Sequence, residues 1–230
     1  MIRDTRKNAA YFEKFIKVEE ARYNKYSLTG YRKADKGNRD AAKKAFIFAA
    51  GMQKNKLVAL YSAGAGLPEI KKAFDEWVDI CGKLSDLPYS DLLTMASLCA
   101  LLKPDENTAA IVNRFLYDFE DDDMLLEGFR NYLLGHGFTY KSSNVKYDDY
   151  AGLKNVLAEP DKTAQAEKLA SYAGSEWYAM HSDSPWHESH LSDADTYFGY
   201  WCFEAAALTV ALSLDTSELC KIEYIPKDML

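Results

Sequence analysis

No run in this chain reaches the roughly 20 predominantly apolar residues that a membrane-spanning helix requires. The longest apolar stretch, Tyr197 to Leu214 (YFGYWCFEAAALTVALSL), is eighteen residues long and contains Glu204. A carboxylate there would cost roughly 2.5–3.5 kcal/mol at a bilayer centre. The stretch therefore reads as a helix covered by protein on all sides, with no membrane partner. Cysteine is scarce too. The four thiols, Cys81, Cys99, Cys202 and Cys220, show no C-x-x-C spacing, which points to reduced, mostly buried cysteines in the cytoplasm. Six prolines and 12 glycines are too few for a turn-rich all-β chain, and no window alternates strictly enough for a strand. The P-loop, G-x-G-x-x-G and G-x-S-x-G patterns are missing, which removes the commonest phosphate-binding and hydrolase signatures. The opening MIRDTRKNAAYFEKF has basic charge but no apolar core behind it, unlike a secretory leader.

What is present is ordinary for a globular protein: 230 residues, 48% hydrophobic and 27% charged. A chain of this size buries roughly 70–75% of its unfolded surface. Ala9, Phe12, Phe15, Ile16, Glu19 and Tyr23 predict a helix over about 3–26, interrupted at Leu28-Thr29-Gly30. A second helix is expected over about 39–63, stopped at Gly64 and restarted at Pro68. Further helices are expected to Leu84, from a Ser90 cap to Leu102, from an Asp105 cap through Leu116, from about Asp122 to Leu133, over 150–158 and over 161–180. The expected fold is an all-α, multi-helix layered or bundle arrangement, its helix pairs free to stack, with a buried apolar C-terminal helix. The expected organisation is an N-terminal helical region, 1–137, and a C-terminal one, 138–230, in one compact unit.

The net charge of −7 hides an asymmetry: residues 1–60 carry +9 and residues 61–230 carry −16. The basic side chains lie along helical faces without a recognised nucleic-acid motif, and the acidic remainder favours a basic protein partner over direct nucleic-acid binding. Asp118, Glu120, Asp121, Asp122 and Asp123 crowd five carboxylates into six positions at a helix junction. One or two would suffice to cap a helix. The rest repel one another unless a basic group answers them. Asp148 and Asp149 form a second, weaker pair. An EF-hand is excluded by the missing glycine and terminal glutamate.

His181, His187 and His190, with nearby carboxylates, make the sole metal-like cluster, but match no established ligand spacing. No metal or other cofactor is expected, and a metal-dependent hydrolase stays as the lesser alternative. Trp77 and Trp201 fall at helical spacing and read as core. Trp177, Tyr178 and Trp186 adjoin polar segments and read as interface residues. Glu204 reads as a structural anchor tied to a tyrosine, a lysine or a helix N-terminus.

The segment Gly199 to Ala207, GYWCFEAAA, is preceded by Ser192-Asp193-Ala194-Asp195. It is followed by Asp215 and by Tyr224-Ile225-Pro226-Lys227-Asp228. It resembles the C-terminal signature of the PoNi-type immunity proteins, with Tyr-Ile-Pro in place of the family's Tyr-Tyr-Pro or Tyr-Pro. The N-terminal half fits more weakly, through a helix-rich region running into Leu60-Tyr61-Ser62-Ala63-Gly64. The resemblance makes Gly199, Tyr200, Trp201, Glu204, Ala205 and Ala206 signature residues. It implies a cytoplasmic, non-enzymatic, all-helical protein that neutralises a secreted polymorphic DNase toxin of the PoNe type, as in type VI secretion. Asp118, Glu120, Asp121, Asp122, Asp123, Asp148, Asp149, Trp177 and Trp186 are then the expected toxin contacts. An acidic helical adaptor for another basic protein is the alternative.

Overall fold

The computed structural model describes residues 2–119 and 122–230, among which there are helices, turns and extended links but no strand. The all-α reading holds. The chain divides into two compact units, Met1–Leu87 with Glu188–Gly199, and Pro88–His187 with Tyr200–Leu230.

Three helices dominate the first unit: α1 (Ala9–Asp35), α2 (Arg39–Ala63) and α3 (Leu67–Cys81). Asn8 and Asn38 cap α1 and α2 by accepting from Tyr11 N–H and Ala41 N–H, answering donors that a helix start leaves open. Gly37 turns the chain at φ +73 and Gly64 closes α2 at φ +93, both in the left-handed region. α1 packs along α2, and α2 against α3. Phe12, Leu57, Tyr61, Ile70, Phe74 and Trp77 are fully buried. Polar groups tie the helices together inside. Buried Glu19 accepts from Arg22 Nη1 at 2.8 Å and Asn55 Nδ2 at 3.1 Å, and Gln53 Nε2 donates to Ala73 O and to Glu76.

Residues 188–199 belong to this unit through specific bonds. Tyr11 Oη donates to Tyr197 O and accepts from Tyr197 N–H, both at 2.9 Å. Ser62 Oγ donates to Phe198 O, and Tyr197 Oη donates to the buried Asp4 carboxylate.

The second unit contains α4 (Tyr89–Leu102), α5 (Glu106–Asp118), α6 (Met124–Leu133), α7 (Ala151–Leu157), α8 (Lys162–Ser171), α9 (Trp177–Met180) and α10 (Phe203–Leu212). Asp105, Asp123 and Asp161 cap α5, α6 and α8 with their side chains. At the centre α10 packs on α4. Both are apolar nearly all round, as a helix covered by its neighbours can be. Between α8 and α9, Tyr172–Glu176 is wound as a π-turn, so that Trp177 N–H donates to Tyr172 O five residues back.

Three expectations need correction. α1 runs through Leu28-Thr29-Gly30, because tertiary packing overrides the local break. Thr29 Oγ1 donates back to Lys25 O, and a Cβ at position 30 would run into the Phe46 ring. α4 begins at Tyr89 behind Pro88, so Ser90 is not its cap. The C-terminal apolar helix begins at Phe203 and not Tyr197. Tyr197, Phe198 and Cys202 spend their backbone groups on Tyr11, Ser62 and Tyr224 O, and Gly199 adopts φ +120.

Candidate protein-binding site

The acidic run at the α5–α6 junction is divided by the fold. Asp123 is 3% exposed and turned inward. Its Oδ1 accepts from Leu125 and Leu126 N–H at 3.0 and 2.9 Å, and its Oδ2 from Tyr89 Oη and Lys146 N–H, both at 2.9 Å. Asp123 is thus spent on capping α6 and holding the loop at Lys146, and is withdrawn from the expected toxin contacts. Burial, and then the Asp123 carboxylate, push the Tyr89 hydroxyl far above its usual titration range. Glu120 and Asp121 lie outside the described residues. Asp118 and Asp122 are exposed. Asp118 closes α5 with no basic residue in the last turn, at the negative end of the helix dipole. A carboxylate there is unfavourable by a few tenths of a kcal/mol up to about 1.

The fold joins this run to the second acidic pair. Asn144 Nδ2 donates to Asp122 Oδ2 at 3.0 Å, and Met124 N–H donates to Asn144 O at 2.8 Å. Lys146 Nζ lies over the Phe119 and Tyr147 rings. Tyr89 then touches Phe119, Tyr147 and Tyr150. One edge of the second unit thereby gathers Asp118, Asp122, Asp148 and Asp149. None of the four forms an ion pair with a described residue. A shallow groove of about 430 Å³ runs beside it, lined by Leu116, Phe119, Asp122, Leu126, Arg130 and Lys141 among others. Charge follows the same division. The second unit has 10 Lys and Arg against 21 Asp and Glu, a net −11; the first has 18 against 14, a net +4.

Tyr150 continues from the acidic edge into a group of rings. It meets His181 edge-on at 5.1 Å, and His181 meets Trp177 and Trp186 at 5.5 Å. The π-turn directs Trp177 inward, where it is 4% exposed and stacked under Trp186. Trp177 is therefore a support, and Trp186, half-buried, is the ring nearer the surface. Tyr178, an expected interface residue, joins this group with His187 and Tyr224, and sequence spacing gave no sign that these three rings stack. His181 Nδ1 lies 2.7 Å from Trp177 O. A carbonyl only accepts, so the ring proton is on Nδ1. His190 belongs to the first unit, beside Tyr197. Among the described residues no three His, Cys, Asp or Glu side chains are placed to hold a metal ion.

Glu204 sits in the first turn of α10, buried, where its own backbone N–H, the Cys202 thiol and Trp177 bond to it. Its Oε1 has no hydrogen-bond partner. Burial raises its pKa above the ordinary value, against the opposing pull of His181. Of the anchors expected for it, the helix N-terminus is the one present. Tyr200, Ala205 and Ala206 are buried around it and Trp201 is half-buried, so the signature residues build the core beneath the rings.

This arrangement defines a class: an all-helical protein whose second unit is acidic and gathers a group of half-buried rings. The crystal structure of protein PA2201 from Pseudomonas aeruginosa has the same fold, with a TM-score of 0.71 at 17% identity, over 99% of this chain and 89% of that one. No curated protein sequence matches significantly. Residues 121–229 match the family of PoNe immunity proteins (PoNi), C-terminal region. Residues 121–229 are thus similar to the C-terminal region of the PoNi immunity proteins, in keeping with the resemblance of GYWCFEAAA. No helix among the described residues is long and apolar enough to cross a membrane.

Proposed function

We propose that this chain acts in the cytoplasm as an immunity protein that binds and neutralises its cognate PoNe-type DNase toxin, without catalysis of its own. The contact surface is the acidic edge Asp118, Asp122, Asp148 and Asp149 with the adjoining Trp186. One observation carries the reading: two sequence-distant carboxylate pairs are assembled on one edge, and none of the four forms an ion pair with a described residue. Such clustering repels itself, and a basic partner answers it. Nucleases grip phosphate with basic clefts, and an acidic surface covering such a cleft speeds encounter, while desolvated rings slow release.

Co-expression tests this. The toxin encoded beside this gene is produced in cells with the wild-type chain or with a variant carrying Lys at Asp118, Asp122, Asp148 and Asp149. The wild type should rescue growth and the variant should rescue it less well at low expression. A helical adaptor for another basic protein would give no rescue from either. Full rescue by the variant would remove the acidic edge from the interface.

A further inference from the structure

Between Lys168 and Lys221 the chain contains no lysine or arginine over 52 consecutive residues, and the second unit's share of this stretch holds five carboxylates. Within the second unit this stretch supplies Trp177, Tyr178, Trp186 and His187. The rings of His187, Tyr178 and Tyr224 form a stack. His187 lies 4.2 Å from Tyr178 at 29°, and Tyr178 lies 5.3 Å from Tyr224 at 5°. Trp186 stands beside Tyr178 at 6.2 Å and rests on buried Trp177 at 5.5 Å and 20°. These four rings are half-buried, unlike Tyr61, Phe74 and Trp77, whose exposure is 1% or less. Asp183 and Glu176 of the same stretch are exposed and make no ion pair with a described residue.

Aromatic faces are electron-rich, the same stretch carries the exposed carboxylates Glu176 and Asp183, and it holds no cation of its own. We infer that the His187–Tyr178–Tyr224 stack, with Trp186, is a seat for arginine side chains of the partner protein. A guanidinium is planar and weakly hydrated, so it extends a ring stack while its fork bonds carboxylates. An ammonium is a compact, strongly hydrated point charge that does neither as well. The inference rests on the immunity reading for the partner's identity and adds a chemistry to it. The acidic edge responds to charge of either kind, and the ring stack selects arginine.

The test compares hexa-arginine and hexa-lysine peptides binding to the full-length chain at one ionic strength, read by calorimetry and tryptophan fluorescence. Hexa-arginine should bind about fivefold more tightly or better. That preference should vanish in Tyr178→Leu and in His187→Ala, each checked for native circular dichroism, with hexa-lysine affinity held. Equal affinity of the wild type for both peptides overturns the inference without recourse to any variant. An arginine preference that survives in both folded variants also overturns it, and moves the seat elsewhere. If the preference is present but the wild type does not bind the neighbouring toxin, the immunity reading fails and the arginine seat stands. If the toxin binds and the preference is absent, the seat alone fails.

Discussion

The two units are made of the same helical material and differ in how their charge is answered. In the first, acids and bases nearly balance, and pairs recur along the helices: Glu13 with Lys17, Glu19 with Arg22, Asp75 with Lys71, Asp79 with Lys83, and Lys56 with both Glu20 and Glu76. In the second, carboxylates outnumber cations by about two to one, and its edge at Asp118, Asp122, Asp148 and Asp149 forms no ion pair with a described residue. Exposed pairs are each worth only about 0–1 kcal/mol, so the first unit's balance is a weak source of stability. The lesson lies on the functional side. Both units form ion pairs, but the second leaves this edge without one to a described residue, and half-buried rings gather in the same unit.

The largest expected effect tests whether the first unit is framework only. Trp77→Ala removes a fully buried indole and should cost about 3–5 kcal/mol in denaturant unfolding. The molecules that remain folded should bind toxin with unchanged affinity. A parallel loss of affinity would break the division between the units.

Glu204 comes next, and sharpens what the signature does. Glu204→Ala should destabilise by about 2–4 kcal/mol through a cavity and unmet neighbours. Glu204→Gln separates shape from charge. Burial raises the folded-state pKa of Glu204, so the ionised form is the disfavoured one. Its contribution is most favourable below the ordinary value of about 4.3 and is lost as pH climbs through the raised folded value. The stability of wild type relative to Glu204→Gln should therefore fall as pH rises from about 4, in urea unfolding followed at several pH values. A difference that grows in favour of wild type with rising pH would contradict this.

A smaller effect splits the acidic run itself. Asp123→Ala should lose about 1–3 kcal/mol of stability, because Tyr89 Oη and two α6 N–H groups lose their acceptor. Asp122→Lys should change stability by no more than about 0.5 kcal/mol and slow association with toxin. The smallest effect is the control. Lys43→Glu with Lys44→Glu, on exposed α2 positions of the first unit, should leave toxin affinity within about twofold, a margin of roughly 0.4 kcal/mol.

Much of the fold was legible in local chemistry. Asp105 and Asp161 cap the helices they precede, Pro68 opens α3, and Gly64 ends α2. Those signals act within one turn of the chain, so sequence carries them. What was not legible depends on distant partners. Leu28-Thr29-Gly30 looks like a break until Phe46 is seen to need the space over Gly30. Tyr197–Cys202 looks helical until Tyr11, Ser62 and Tyr224 claim its backbone groups. The candidate site was half visible. Sequence marked the acidic run and Trp186, but not that Asp123 faces inward, that Asn144 draws the two acidic pairs together, or that a π-turn buries Trp177 under a ring stack.

The central claim is that the second unit's acidic edge meets the toxin. Its most direct test is the binding of an inactivated form of the neighbouring toxin, measured by kinetics and calorimetry at low and moderate salt. The wild type should bind with an affinity that falls as salt rises. The variant with Lys at Asp118, Asp122, Asp148 and Asp149 should bind at least about tenfold more weakly, a loss of roughly 1.4 kcal/mol, chiefly through slower association. Equal association rates and affinities for the two proteins, both independent of salt, would contradict the account.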